Sequence, residues 1–438
     1  MEFDDRPFAP DLDGSIFLYS SDAVCGVVPR FTVSLTMHID GRVLEDAVND
    51  VIVLFPHMKV RLEKDASGFM YVRNDSRIPV SCCTGKEVTL SDPTLNGYLF
   101  CVSYSGKTVF LDVHSALLDE KGLASFAKAI VFRYIQLSGY PVENDGSVCA
   151  LPEGQQHVSM EDPFERIEDI PAARPVWYMD AKAFHDVEAG GGGCDFRNRS
   201  SEPVFDAVQI RIPLQKLRSF VKEYAGLPEI LISSVVSQAL YEQYCGKMEK
   251  GEYMVASISV NLRRYFPTVS LKPFSTSVSL AYNRRLGEYP FNTILMSQKK
   301  LLEAQLKTDA LAYNAQRRIA DFEKVQACTD FASRCTAASG IISDKAAQST
   351  YMLRNAGNIG MPETMMRYVT EFYPMYTPSV HPLSFSSIIF RNEVILTVSL
   401  MHGYLPDLCR RIVSLMNDND IYAYISDRFS FIPVRYRL

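Results

Sequence analysis

The sequence predicts a mixed α/β protein built as two lobes with mixed sheets. Three observations lead there. At 438 residues the chain is too long for one ordinary core. Each half opens with an alternating strand followed by an amphipathic helix. Between the halves lies a stretch rich in proline, acid and glycine that reads as neither. With 47% hydrophobic and 22% charged residues, the chain can fill two cores and still cover them with a polar surface.

Residues 31–39 alternate apolar and polar, as a strand exposed on one face does. Asp40-Gly41 turns the chain. Leu44, Ala47, Val48, Val51, Ile52 and Phe55 then mark one face of a helix that Pro56 stops. Short strands follow at 58–62, 69–73, 98–104 and 108–114. Leu123, Phe126, Ala127, Ile130, Val131, Tyr134 and Ile135 give a second amphipathic helix. Residues 114–120 are thus a strand-to-helix crossing, which sets side chains at the rim of a sheet where a substrate can reach them.

Residues 141–204 carry several prolines, an acidic run at 161–169 and four consecutive glycines at 190–193. Such a glycine run costs too much entropy to sit inside a helix or strand. We therefore expect a first lobe at 1–170, a connecting region at 171–204 and a second lobe at 205–438. The second half begins with a strand at 207–212 and a helix bearing Leu214, Leu217, Phe220, Val221 and Tyr224 on one face. A nearly continuous apolar helix covers 229–244, and strands read at 253–262 and 275–282. One long helical stretch spans 291–327. A hairpin at 383–390 and 394–401 turns at Arg391-Asn392, and a last helix starts near Leu405.

Net charge is −6, which disfavours nucleic acid as a partner. The ten cysteines include no CxxC pair, so neither a zinc site nor a disulfide framework is read from them. The N-terminus is acidic and no apolar run reaches the ~18 residues of a membrane span. The expectation is a cytoplasmic protein with reduced thiols, no signal peptide and no membrane association. His38, His57, His157 and His185 have no carboxylate or cysteine at ligand spacing, so no metal is expected.

At the crossing, His114-Ser115-Ala116-Leu117-Leu118-Asp119-Glu120 resembles the HHxxxDG signature of the chloramphenicol acetyltransferase-like superfamily. That superfamily includes alcohol acetyltransferases and the condensation domains of non-ribosomal peptide synthetases. Residues 122–128 resemble the helix start of the bacterial alcohol-acetyltransferase-like proteins. Phe55-Pro56-His57-Met58-Lys59-Val60-Arg61-Leu62 is similar to the family's FPxxxxRL segment. Val260-Asn261-Leu262-Arg263-Arg264-Tyr265-Phe266-Pro267 is similar to VNLRxxFP. Asn355 to Glu363 is similar to SNLGxxxLPE, with Arg354 in place of its serine. The matches keep their order along the chain.

The resemblance implies the two-lobed CoA-dependent acyltransferase fold of condensation domains, with a tunnel between the lobes. It implies acyl transfer from an acyl-CoA or carrier-protein phosphopantetheine thioester to a hydroxyl or amine of a small-molecule acceptor. An acyl or peptidyl carrier protein is then a partner, and no cofactor is permanently bound. One of the pairs Arg263-Arg264, Arg284-Arg285 and Arg317-Arg318 could meet CoA phosphates, although such pairs commonly lie on solvated surface. In the family the second histidine is the general base, because imidazole takes and returns a proton near neutral pH. The aspartate pairs with an arginine and shapes the loop. Here we expect Asp119 to pair with Arg61, and Asn261 and Arg263 to fix the chain where one lobe reaches the other.

This sequence departs from the pattern at two catalytic positions. Ser115 stands where the base belongs, and a hydroxyl is no base unless another group activates it. His114 is adjacent, and successive extended residues face opposite ways. Glu120 replaces the signature glycine, where a side chain would crowd the tunnel and a glycine-like backbone would be strained. Three readings stay open. The protein is a catalytically inactive relative that serves as a ligand-binding or interaction scaffold. It transfers acyl groups with Glu120, His381 or His402 as the base. Or Ser115 is a nucleophile activated by His114 or Glu120.

Overall fold

The computed structural model describes residues 6–20, 27–65, 68–83, 88–149, 159–175, 182–187, 205–225, 227–378, 381, 383–400 and 405–436. The glycine run at 190–193, His157 and His402 lie outside them.

Two mixed sheets organise the chain. The first has the strand order Val369–Met375, Arg30–Leu35, Thr108–Val113, Phe100–Ser105, Val80–Cys82. Its first three junctions are antiparallel and the last is parallel. The second has eight strands: seven run in the order Ser275–Tyr282, Glu252–Asn261, Tyr351–Asn358, Leu383–Phe390, Glu393–Leu400, Phe205–Pro213, Tyr424–Phe431, and the eighth, Lys182–Ala183, pairs with Glu252–Asn261 off that path. The predicted hairpin is there, with Ile388 opposite Ile395 and Arg391 in the left-handed region at its turn.

Each sheet packs its own core. Phe31, Leu44, Phe55, Phe100, Phe126 and Ile130 fill the first, and the helix Glu120–Leu137 lies across it. Ile210, Ile230, Leu240, Leu353, Phe385 and Leu396 belong to the second. The chain crosses between them more than once. Val369 and Phe372 pack in the first core although they come late in the sequence, and Ile16 and Phe164 pack in the second although they come early.

The elements depart from the sequence reading in several places. The stretch 291–327 is two helices, Phe291–Gln305 and Thr308–Gln326, broken where Lys307 turns extended. No proline or glycine marks that break. The helix Leu12–Ser20 escaped pattern reading because nearly every face of it is buried, including Asp13, Gly14 and Ser15. Among the described residues no helix is long and apolar enough to cross a membrane.

Candidate active site

The strand Thr108–Val113 ends at His114, the chain turns, and the helix Glu120–Leu137 begins. His114 is fully buried and faces the first core. Its Nδ1 accepts the Ala116 N–H at 3.1 Å, and its ring meets Tyr436 edge-on at 4.6 Å. Burial pulls its pKa down to about 3, so the imidazole stays neutral. Ser115 turns the other way and lines a cleft between the lobes, while its N–H donates to the Val27 carbonyl at 2.7 Å. Among the described residues no imidazole or carboxylate hydrogen-bonds the Ser115 hydroxyl.

Asp119 ties the crossing to the other lobe. One carboxylate oxygen caps the helix by accepting the Gly122 N–H at 2.9 Å. The other accepts from the Arg263 guanidinium and from the Phe274 N–H at 3.0 Å. Arg263 donates further to the carbonyls of Ser270 and Lys272, and the Asn261 side chain accepts its backbone N–H at 3.0 Å. With the carboxylate 4% and the guanidinium 10% exposed, each charge offsets the burial cost of the other. Gly122 is required here, since a Cβ would sit 2.5 Å from the Leu271 carbonyl oxygen. The structure thus brings Asp119, Asn261 and Arg263 together.

It does not bring Arg61 to them. Arg61 pairs with Glu63 at 2.8 Å on the surface, corresponding to the outward position beside buried Val60 on the strand Val60–Asp65. Strand alternation sends the two neighbours to opposite faces, which overturns the expected Asp119–Arg61 pair.

Glu120 is also corrected in one respect. It is the first helical residue and is not among the non-glycine residues at positive φ, so the position carries no left-handed strain. Its side chain lines the cleft and is 13% exposed. It accepts from the Ser259 hydroxyl at 3.3 Å, and the Arg354 Nε lies 3.8 Å away. Arg354 in turn lies over the Tyr376 ring at 4.5 Å and donates to Ser384 at 3.3 Å. Glu120 and Arg354 therefore face each other across the lobes. Burial raises the Glu120 pKa and Asp119 adds to the rise, against the smaller opposing pull of Arg354 and Ser259.

The cleft holds about 550 Å³. Ser115, Leu118 and Glu120 line it from the first lobe, and Ser257, Arg354, Tyr376 and His381 from the second. Its second-lobe wall is rich in hydroxyls, at Ser257, Ser275, Thr276, Ser277 and Ser279. The His381 Nε2 lies 3.0 Å from the Ser349 hydroxyl and 3.1 Å from its carbonyl, and burial with the Arg354 cation holds its pKa at about 4. His57 is buried in the first lobe, with its pKa lowered to about 3 by burial and by the cations of Lys272 and Arg263. Sequence reasoning missed Ser259 and Tyr376, which carry no motif, and left Arg354 as a mismatch without a role.

No protein-family model matches the chain, and no curated protein matches it in sequence. Solved structures do match in shape. Polyketide synthase associated protein 5 from Mycobacterium tuberculosis superposes with a TM-score of 0.61 at 13% identity, over 94% of this chain and 96% of that one. The starter condensation domain of rhizomide synthetase, in complex with C8-CoA, gives 0.57 at 11% identity over 94% of each chain. TRI101 of F. graminearum, complexed with coenzyme A and deoxynivalenol, gives 0.57 at 9% identity over 93% of this chain and 98% of that one. At such identities the likeness speaks to architecture, and it spans nearly the whole chain: this protein has the two-lobed, mixed α/β fold of the condensation domains and CoA-dependent acyltransferases.

Proposed function

We propose that the cleft binds the phosphopantetheine thioester of an acyl-CoA or of an acyl or peptidyl carrier protein. Its acyl group passes to a hydroxyl or amine of a small molecule, with Glu120 as the base. One observation carries this reading. Glu120 lines the same cavity as Ser115, and burial raises its carboxyl pKa above the ordinary value. A carboxylate with a raised pKa is a stronger base.

The Glu120 carboxylate takes the proton of the acceptor O–H or N–H as the acceptor atom bonds to the thioester carbonyl carbon. The tetrahedral intermediate collapses, the carbon–sulfur bond breaks, and the thiolate leaves. Glu120 returns its proton to that sulfur. The Arg354 cation, 3.8 Å from the carboxylate, favours the ionised base between cycles. Ser115 supplies a small polar wall, and holding both substrates in register contributes rate of its own.

A binding or scaffolding role is the second reading. It is supported by the placement of the imidazoles, with His114 turned into the core and His381 held at Ser349. A thiol-release assay on acyl-CoA, run beside CoA binding, tests the two. Acyl transfer predicts turnover by the wild type that survives Ser115→Ala and is lost in Glu120→Gln. Binding without turnover, with activity appearing only in Ser115→His, would favour the scaffold. Neither binding nor turnover overturns the thioester reading.

A further inference from the structure

The outer helices of the second lobe carry a charge pattern that the cleft does not use. The helix Leu214–Phe220 continues into the wider turn Val221–Ala225, and the helix Phe291–Gln305 packs beside that turn. The Phe220 and Phe291 rings lie 6.4 Å apart at the junction. Each segment buries one stripe in the second core, with Leu214, Leu217 and Val221 from one and Ile294, Leu295 and Leu302 from the other. Their opposite faces are turned outward.

Those faces are basic in an acidic protein. Residues 214–225 and 284–305 hold seven Lys and Arg against three Glu, a net charge of +4, so the rest of a chain at −6 carries −10. Glu288 lies 3.7 Å from Arg284 and Glu303 lies 3.9 Å from Lys299. Lys216, Arg218, Lys222, Arg285 and Lys300 are exposed, and among the described residues none of them has an ion-pair partner. Within the two stretches only Glu223 is left to oppose them. Tyr289 and Met296 stand between these cations along the chain at 47% and 53% exposure, and Met296 shares a helix face with Lys300, four residues on. Of the basic pairs in the sequence, Arg317-Arg318 lines the cleft, whereas Arg284-Arg285 belongs to this outer face.

We propose that this face docks on an anionic lipid bilayer. An acidic headgroup layer is flat and its charges move laterally, so cations spread over two helices meet it without a fixed register. Lys and Arg lay long apolar stems along such a boundary while their charges stay among the headgroups. Tyr289 and Met296 bring an amphipathic ring and a flexible thioether to the same depth. The −10 carried elsewhere turns this face, and no other, toward the bilayer, because screening confines the attraction to groups within about 10 Å of the surface. The contact is peripheral and needs no apolar run long enough to span a membrane. None of the five cations lines the cleft, so lipid docking and thioester chemistry stand or fall separately.

Co-sedimentation of the full chain with vesicles is the test. The wild type is expected to pellet with phosphatidylcholine vesicles containing about 30% phosphatidylserine and to stay in solution with phosphatidylcholine alone. Raising salt from about 0.1 M to about 0.5 M is expected to release it. Arg285→Glu combined with Lys300→Glu is expected to weaken partitioning at least about tenfold. Both side chains are exposed, so the fold is expected to be kept. Arg42→Glu combined with Lys107→Glu makes the same change in net charge at exposed cations of the first lobe, and partitioning is expected to stay within about twofold. A wild type that stays in solution with the anionic vesicles overturns the proposal and leaves an acidic protein as the partner this charge fits. A charge-reversed face that pellets like the wild type, or a first-lobe control that is released as strongly, overturns it as well.

Discussion

At the residue scale the proposed acyl transfer turns on which group moves the proton. Glu120 and Ser115 both line the cleft, and only the carboxyl has a base's chemistry. The base must be ionised to work, so turnover is expected to rise with pH and level off above the Glu120 pKa. Burial has moved that pKa upward, so the midpoint is expected above the ordinary glutamate value of 4.5. Glu120→Gln is expected to erase this limb and to lower kcat by about 10²- to 10⁴-fold, read from the pH dependence of thiol release. A limb that persists in Glu120→Gln would assign the proton to another group. Ser115 and Glu120 were legible in the sequence as departures from a pattern, and the inward turn of His114 followed from strand alternation. The partner of Asp119 was not legible. Two arginines stood in matching motifs, and only the loop between Leu262 and Phe274, folded back onto the helix start, selects Arg263 over Arg61.

At the scale of elements, the helix Glu120–Leu137 depends on one carboxylate for two tasks. Asp119 caps its first turn and holds Arg263 from the other lobe. Asp119→Ala removes the cap, worth about 1 kcal/mol, and leaves a guanidinium buried without its charge partner. The combined loss is expected to be about 3–5 kcal/mol in urea unfolding, as for other broken buried pairs. Asp119→Ala combined with Arg263→Met is expected to recover part of it, because no unpaired charge then remains. A double variant no more stable than Asp119→Ala would place the effect in the cap alone. Gly122→Ala probes the same contact, since its methyl would meet the Leu271 carbonyl oxygen at 2.5 Å, and a loss of about 1–3 kcal/mol is expected. Elements with a clean period were legible, such as the hairpin and the helix itself. The break at Lys307 and the buried helix Leu12–Ser20 were not, because neither has a turn residue or a polar face to announce it.

At the scale of the molecule, the two lobes were legible from motif order, but the crossings were not. The strand Val369–Met375 joins the first sheet beside Arg30–Leu35, a pairing between opposite ends of the chain that no local pattern encodes. The resulting cores enclose imidazoles that stay neutral, and this gives stability a pH dependence. His57 and His114 are 4% and 0% exposed, and burial holds each pKa near 3, against 6.5 for the unfolded chain. A depressed histidine contributes stability that is present above pH 6.5 and is lost as pH falls from there toward 3. At pH 5 the loss is about 2 kcal/mol for each histidine, because only the unfolded chain takes up the proton. The raised carboxyls of Glu120 and Asp13 act in the opposite sense, since the folded state binds their protons more readily than the unfolded chain does. Acid sensitivity is therefore expected to begin below pH 6.5, above the range in which ordinary carboxylates titrate. Replacing His57 by leucine tests this directly. The variant's urea midpoint is expected to fall less than the wild type's between pH 7 and pH 5, whatever its stability at pH 7. An equal fall in both would mean that His57 takes no part in the acid response.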